Sequence, residues 1–168
     1  MIHVCSLARL HETIDRTGAR HVVTCLRHSD EARLEGRIAR ENHLILNMDD
    51  IALPLDGYTA PADEHVSRLI EFVTGWDRKT PLVVHCFAGI SRSSASAYVA
   101  ACALNPARNE IQIARDLRRA SATAMPNIRI VSLADRLLKR NGRMIRAVEA
   151  IGPGLAASEG EPFLLNLD

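Results

Sequence analysis

The feature that most constrains the fold is an apolar run that leads through a short loop into a second run rich in alanine. Residues 81–84, Pro-Leu-Val-Val, have the apolar, β-branched character of a buried strand. Residues 85–93 are His-Cys-Phe-Ala-Gly-Ile-Ser-Arg-Ser, and residues 94–101, which follow them, favour a helix. A strand that turns directly into a helix is typical of α/β sheets. We therefore expect the chain to build such a sheet around this unit.

Hydrophobic periodicity predicts further strands and helices on both sides of this unit. Strands are predicted at 2–5, 21–26, 43–47 and 82–85, a polar connection over 30–41, and helices near 10–16, 66–76, 93–104, 110–119 and 128–150, the last broken at Asn141-Gly142. This alternation predicts an α/β fold with a mostly parallel central sheet of four to five strands flanked by helices. The 168 residues suit one domain, expected over 1–151, and a C-terminal tail, expected over 152–168.

The loop between strand and helix places a cysteine in an anion-binding environment. A helix N-terminus presents unpaired N–H groups and the positive end of the helix dipole, and successive loop amides form a concave nest. This field favours the thiolate form of a cysteine over the thiol. Gly89 permits a backbone conformation that is costly for other residues, and Arg92 offers a planar fork of donors that matches two phosphoryl oxygens. The sequence therefore predicts that Cys86 is a nucleophile beside a bound anion.

The nine residues from His85 to Ser93 resemble the signature of the cysteine-dependent protein tyrosine phosphatases, His-Cys-x-x-Gly-x-x-Arg-Ser. The string is most similar to the dual-specificity branch, in which HC-x-AG-x-SRS is typical. The resemblance implies a compact phosphotyrosine-phosphatase-like domain that hydrolyses phosphotyrosine, and also phosphoserine or phosphothreonine, without a metal or other cofactor. Arginine outnumbers lysine by 19 to 2, which hints at a bacterial source.

The resemblance also implies a role for each position of the signature. Cys86 would attack phosphorus and carry a covalent phosphocysteine, and Arg92 would bind the phosphoryl group. Ser93 would donate a hydrogen bond to the cysteine sulfur, and His85 would hydrogen-bond within the loop to steady Cys86 rather than act as a base. The remaining substrate contacts are expected from the backbone amides of Phe87, Ala88, Gly89, Ile90 and Ser91.

Hydrolysis of a phosphate ester also needs an acid that protonates the leaving oxygen. In the resembling family this acid is an aspartate on a loop upstream of the signature. Residues 47–51, Asn-Met-Asp-Asp-Ile, follow the third predicted strand, and we predict that Asp50 is the general acid and, in the second step, the general base. Asp49 is the alternative, and Asp56 and Asp63 rank behind it. A simpler hypothesis is that Asp49 and Asp50 only make a turn soluble.

Two other function classes stay open on the sequence alone. One is a different thiol chemistry on a similar loop, as in rhodanese-like sulfur transfer or arsenate reduction. The other is a catalytically weak or silent module that recognises phosphorylated partners. For the phosphatase we expect a phosphorylated protein or a small phosphomonoester as the substrate, and for the recognition module a phosphorylated partner. The net charge of +1 offers no overall case for nucleic acid or membranes, and no secretory signal is recognised, which predicts a cytoplasmic location.

Three cysteines and one late dipeptide complete the candidate residues. Cys5, Cys25 and Cys102 are predicted to be small buried hydrophobic side chains. The histidines show no metal-ligand spacing, so no metal site is expected. Residues 125–127, Met-Pro-Asn, resemble a stretch found late in the family's domains, but a helix start with Asn127 as its N-cap explains them equally well.

Overall fold

Strands and helices follow one another in the order that the sequence predicts, with one additional short strand over residues 163–165. The structure is a computed structural model, and it describes residues 1–28 and 32–167. Residues 30 and 31 of the predicted polar connection and residue 168 of the predicted tail lie outside the described residues. The elements are β1 Ile2–Ser6, α1 Leu10–Thr17, β2 His21–Thr24, β3 His43–Ile45, α2 Asp63–Gly75, β4 Leu82–Cys86, α3 Arg92–Leu104, α4 Glu110–Ala120, α5 Ile128–Leu137, α6 Arg143–Ala150 and β5 Phe163–Leu165.

The five strands form one sheet in the order β3-β2-β4-β1-β5. The first four strands in that order run parallel, and β5 pairs antiparallel with β1. The predicted α/β fold with a mostly parallel sheet is therefore confirmed. All five residues of β4 are buried, as expected for a parallel strand that is covered on both faces. Cys86, the last residue of β4, pairs with Ser6 of β1 at the carboxyl end of the sheet.

Helices cover both faces of the sheet. Alternate side chains of β4 point to opposite faces, so Val83 packs with α1 and with buried residues of the 32–38 segment, whereas Val84 packs with the larger layer that contains α2 to α6. Within that layer α3 contacts α2, α4, α5 and two strands. Its alanine and serine side chains are small enough for these neighbours to approach from every side, and almost the whole helix is buried. The start of α3 is thereby held at the carboxyl end of β4.

The predicted break in the last long helix is present, and Asp135 stabilises it. The Asp135 carboxylate accepts hydrogen bonds from the backbone N–H of Gly142 at 2.6 Å and of Met144 at 2.9 Å. These bonds satisfy N–H groups at the start of α6 that have no partner within the helix. A charged residue on α5 therefore fixes where α6 begins.

The segment expected as a C-terminal tail adds the edge strand β5 to the sheet. Phe163, Leu165 and Leu167 are buried in the core of the larger layer. Ahead of β5, the backbone N–H of Gly160 donates a hydrogen bond of 2.8 Å to the carbonyl of Ala88. This segment therefore packs both on the sheet and on the loop that follows β4.

Candidate active site

Residues 86–92, the signature loop, connect the end of β4 to the start of α3. Segments around the loop hold its carbonyl groups from outside, through backbone N–H donors at 2.8–3.3 Å: Leu7 to Phe87, Gly160 to Ala88, Met125 to Ile90 and Asn127 to Ser91. In a trans peptide unit the N–H points opposite to the C=O. The amides that follow these carbonyls are therefore directed to the inner side of the loop, where they can bind an anion.

Gly89 is required by the space and the backbone conformation of the loop. Its φ is +73°, in the left-handed region that favours glycine. A Cβ atom at this position would lie 2.7 Å from the backbone nitrogen of Ser6 and 2.8 Å from the carbonyl carbon of Cys5. The loop thus rests directly on the end of β1, which explains why the signature needs glycine here.

The nucleophile predicted from sequence lies at the base of this loop. Cys86 is buried, and its Sγ is 3.1 Å from the Oγ of Ser93 on the first turn of α3. This is the pair that the resemblance predicts for Ser93. The ring of His85 also contacts β2, because its Nε2 lies 2.8 Å from the Oγ1 of Thr24. Burial lowers the pKa of His85 to about 3, so the imidazole is neutral at pH 7.

Arg92 is the first residue of α3 and is almost fully buried. One of its terminal nitrogens, Nη1, donates a hydrogen bond of 2.9 Å to the carbonyl of Met48. Its Nε lies 3.9 Å from the Oδ2 of Asp50 and has no hydrogen-bond acceptor within the described residues. An unpaired buried N–H is costly, and an anion bound by the loop would supply the missing acceptor.

Of the candidate acids, the structure brings Asp50 to the signature loop. The Oδ1 of Asp50 accepts hydrogen bonds from the Oγ of Ser91 at 2.7 Å and from the Nδ2 of Asn127 at 2.9 Å. The Asp50 side chain remains 38% exposed, so solvent and substrate can reach its second oxygen. The carboxylate therefore lies beside Arg92 at the open side of the loop.

The other candidate acids have different surroundings. The Oδ2 of Asp49 accepts a hydrogen bond of 2.7 Å from the backbone of Thr59 and one of 3.3 Å from Arg27. These contacts close the loop that follows Asp50 rather than reach the signature. Asp63 starts α2 and forms an ion pair with Arg136, and Asp56 is exposed.

Asn127 contacts this site, whereas the sequence predicted for it either a helix cap or a place in the stretch found late in the family's domains. Its Oδ1 caps α5 by accepting hydrogen bonds from the backbone of Arg129 at 3.1 Å and Ile130 at 3.3 Å. Its Nδ2 is the donor that contacts Asp50. One buried side chain thus joins α5 to the candidate acid. The Pro-Asn dipeptide was the available signal, and the cap that it predicts is correct but incomplete.

The remaining cysteines have the surroundings of buried apolar groups. Burial raises the pKa of each thiol to about 12, in Cys5, Cys25 and Cys102. Among the described residues, no group of three or more His, Cys, Asp or Glu side chains could hold a metal ion. No helix in the described part of the chain is long and apolar enough to cross a membrane.

Comparison with protein families identifies the chain. Residues 14–133 match the family described as "DSP-PTPase phosphatase fused to NAD+ Kinase". The chain belongs to this family. The match spans Asp50, Cys86, Arg92 and Asn127, and the resemblance to dual-specificity phosphatases is confirmed. A search of curated proteins finds no match.

Solved structures share the fold of this DSP-PTPase domain. The Cydia pomonella PTP-2 phosphatase aligns with a TM-score of 0.63 and 16% identity, covering 80% of this chain and 84% of its own. DUSP15 aligns with a TM-score of 0.59 and 15% identity, covering 89% of both chains. At these identities the likeness concerns the fold alone.

Proposed function

We propose that the domain hydrolyses phosphate monoesters, including phosphotyrosine and phosphoserine or phosphothreonine, through a phosphocysteine on Cys86. One observation carries the proposal. The Asp50 carboxylate is hydrogen-bonded to the signature loop and lies 3.9 Å from the Nε of Arg92. The nucleophile Cys86, the anion-binding Arg92 and the acid Asp50 therefore surround one space, as phosphoryl transfer requires.

In the first step, the Cys86 thiolate attacks phosphorus, so that an S–P bond forms while the ester P–O bond breaks. Arg92 and the inner amides of the signature loop hold the phosphoryl oxygens and stabilise their charge. Protonated Asp50 transfers its proton to the leaving oxygen, which departs as a neutral alcohol or phenol. No metal enters this scheme, because Arg92 and the amides neutralise the phosphoryl charge.

In the second step, water attacks the phosphocysteine while the Asp50 carboxylate removes a proton from it. The S–P bond breaks, and inorganic phosphate leaves. The thiolate of Cys86 is regenerated beside the Ser93 hydroxyl, which can donate a hydrogen bond to the departing sulfur across the 3.1 Å that separates the two atoms. Asp50 ends the cycle protonated, ready for the next substrate.

Exposed apolar side chains near the signature loop support an aromatic ester as one substrate. Phe87, on the loop itself, is 65% exposed, and Met125, whose backbone binds the loop, is 51% exposed. Tyr58, on the loop that follows Asp50, is 53% exposed. Such side chains can pack against the ring of phosphotyrosine.

The family description also mentions NAD+ kinase. The product of that kinase, NADP+, carries a 2′-phosphate monoester, so NADP+ is a further compound to test as a substrate.

The test is steady-state hydrolysis of p-nitrophenyl phosphate and phenyl phosphate, which have a good and a poor leaving group. Cys86→Ser should abolish both activities. Asp50→Asn should slow phenyl phosphate by about 100-fold or more and p-nitrophenyl phosphate much less. Asp49→Asn is the matched control and should leave the ratio of the two rates unchanged. If Asp49→Asn alone changes that ratio, the acid is assigned to the wrong residue.

Assays with thiosulfate and arsenate separate the proposal from the other thiol chemistries. Turnover of either compound without hydrolysis of any phosphate ester would replace the phosphatase assignment. Binding of phosphopeptides without any turnover would instead indicate a recognition module.

A further inference from the structure

A chain of hydrogen bonds crosses the sheet from its edge strand to the residue before Cys86. Thr24, the last residue of β2, is the centre of this chain. Its Oγ1 lies 2.7 Å from the Nε2 of His43 on β3 and 2.8 Å from the Nε2 of His85 on β4. We call His43, Thr24 and His85 the relay. Its three members stand on three neighbouring strands of the sheet.

The number of protons available to the relay limits which ring nitrogen of His85 can carry its proton. The Thr24 hydroxyl is fully buried, and it carries one hydrogen and can accept bonds as well. It can therefore donate to only one of the two imidazole nitrogens that face it. His85 is fully buried and neutral at pH 7, so its ring holds a single proton. If Thr24 donates to His85, that proton must be on Nδ1, and His43 then donates to Thr24.

The surroundings of the Nδ1 atom favour this direction. This nitrogen is buried, and it has no hydrogen-bond partner at the usual distance and angle within the described residues. The ring nevertheless interacts with the backbone of Cys86. That interaction opposes the effect of burial and raises the pKa of His85, as expected when a hydrogen-bond acceptor faces a ring N–H. A proton on Nδ1 therefore suits the Cys86 backbone better than a bare nitrogen would.

The other end of the relay opens to solvent. His43 is partly buried and lines a cavity of about 560 Å³ together with Arg33, Glu35 and Arg40. Burial lowers the pKa of His43, and the charge of Glu35 raises it. If His43 gains a proton on its Nδ1, its Nε2–H stays in place. The donor to Thr24 is therefore preserved whichever charge His43 carries.

We propose that Thr24 and His43 are positioning residues that direct the proton of His85 to Nδ1, beside the backbone of Cys86. The proposal rests on the role of Cys86 as the nucleophile. The Nδ1–H presents the positive end of its dipole to the backbone of Cys86 and fixes the ring that precedes the signature loop. Both effects favour the thiolate form of Cys86 and keep its sulfur beside the hydroxyl of Ser93. The relay thus sets the reactivity of the nucleophile without contacting substrate.

The direct test is the ¹⁵N chemical shift of the His85 ring nitrogens, because protonated and bare nitrogens have distinct shifts. We expect a protonated Nδ1 and a bare Nε2 in the unmodified protein. A protonated Nε2 would overturn the proposal. This measurement needs no phosphatase activity, so it can support the relay even if the proposed reaction is wrong.

The second test compares Thr24→Val, which removes the hydroxyl at nearly constant volume, with Thr24→Ser, which keeps it. Thr24→Val should lower the rate of Cys86 alkylation by iodoacetamide at pH 6 and kcat/KM for p-nitrophenyl phosphate by about tenfold each. Thr24→Ser should restore both within about twofold. Thr13→Val is the matched control, because Thr13 is an equally buried threonine on α1, and it should change neither rate.

The contribution of His43 is tested by combining substitutions. His43→Ala should act in the same direction as Thr24→Val, and the double variant should be no slower than Thr24→Val, because both changes break one chain. Additive losses would refute the relay. The relay would also be refuted if Thr24→Val is folded, as shown by its thermal denaturation, and its Cys86 is alkylated as fast as in Thr13→Val. If the unmodified protein hydrolyses no ester but shows the expected shifts, the proposed function fails and the relay stands.

Discussion

Asn127→Ser separates the two ends of one side chain: the oxygen caps α5, and Nδ2 donates hydrogen bonds to Asp50 and to the carbonyl of Ile51. Serine is about as good an N-cap as asparagine, so the bonds from the side-chain oxygen to the backbone of α5 can be replaced. Serine has no Nδ2 donor, so the 2.9 Å bond to the Asp50 carboxylate is lost. The substitution should therefore impair the acid while it leaves the helix intact.

The size of the effect follows from the contacts that remain. A hydrogen bond to a charged group contributes about 1.5–3 kcal/mol. Asp50 keeps its 2.7 Å bond from Ser91, and its side chain is 38% exposed, so the lower end of this range applies. A loss of about 1.4 kcal/mol corresponds to a tenfold slower reaction. We therefore expect kcat for phenyl phosphate to fall about tenfold, and the free energy of unfolding to fall by about 1.5 kcal/mol, because the same bond is lost from the folded protein.

The assay is kcat on phenyl phosphate and p-nitrophenyl phosphate, with urea unfolding of the same preparations. Asn109→Ser is the matched control, because the Oδ1 of Asn109 caps α4 by accepting a 3.0 Å bond from Ile111. This control should leave both rates unchanged, and its urea unfolding measures what an Asn-to-Ser change at a helix cap costs by itself. Equal rates for Asn127→Ser and the unmodified protein on phenyl phosphate would refute the role of Asn127. A parallel loss of activity in Asn109→Ser would show that general destabilisation is the cause.

Single contacts of other residues lead to three more expectations. Gly89→Ala forces a Cβ to within 2.7 Å of backbone, so kcat/KM should fall by more than about 100-fold, whereas Gly57→Ala, with nothing within 4 Å of its Cβ, should retain activity. His85 has a pKa lowered from 6.5 to about 3, so its unfolded form binds a proton that the folded form does not. Stability should therefore decrease by about 2 kcal/mol from pH 6.5 to pH 5 in urea unfolding, and His85→Asn should lack this contribution. Iodoacetamide at pH 8 should label Cys86 alone by mass spectrometry, because burial holds the pKa near 12 for Cys5, Cys25 and Cys102; labelling of these in the native protein would contradict that reasoning.

The elements around the signature were predictable because local patterns carry them. A buried parallel strand such as β4 needs a continuous apolar run, and a loop resting on backbone needs glycine at position 89. The break between α5 and α6 was marked by Asn141-Gly142, two residues with positive φ. The edge strand β5 was missed, because three residues are too few to show a strand period before their partner β1 is known.

Local sequence patterns were enough to predict the α/β fold and the residues that are contiguous in the site, from His85 to Ser93. Short-range physics suffices there, because strand, loop and helix follow one another along the chain. The three-dimensional arrangement was needed to see which of the two aspartates reaches the loop and that Asn127 bonds to it. Asp49 is turned to the Thr59 backbone and Asp50 to Ser91. That choice depends on where distant segments pack, and adjacent residues of the same type carry no local signal of it.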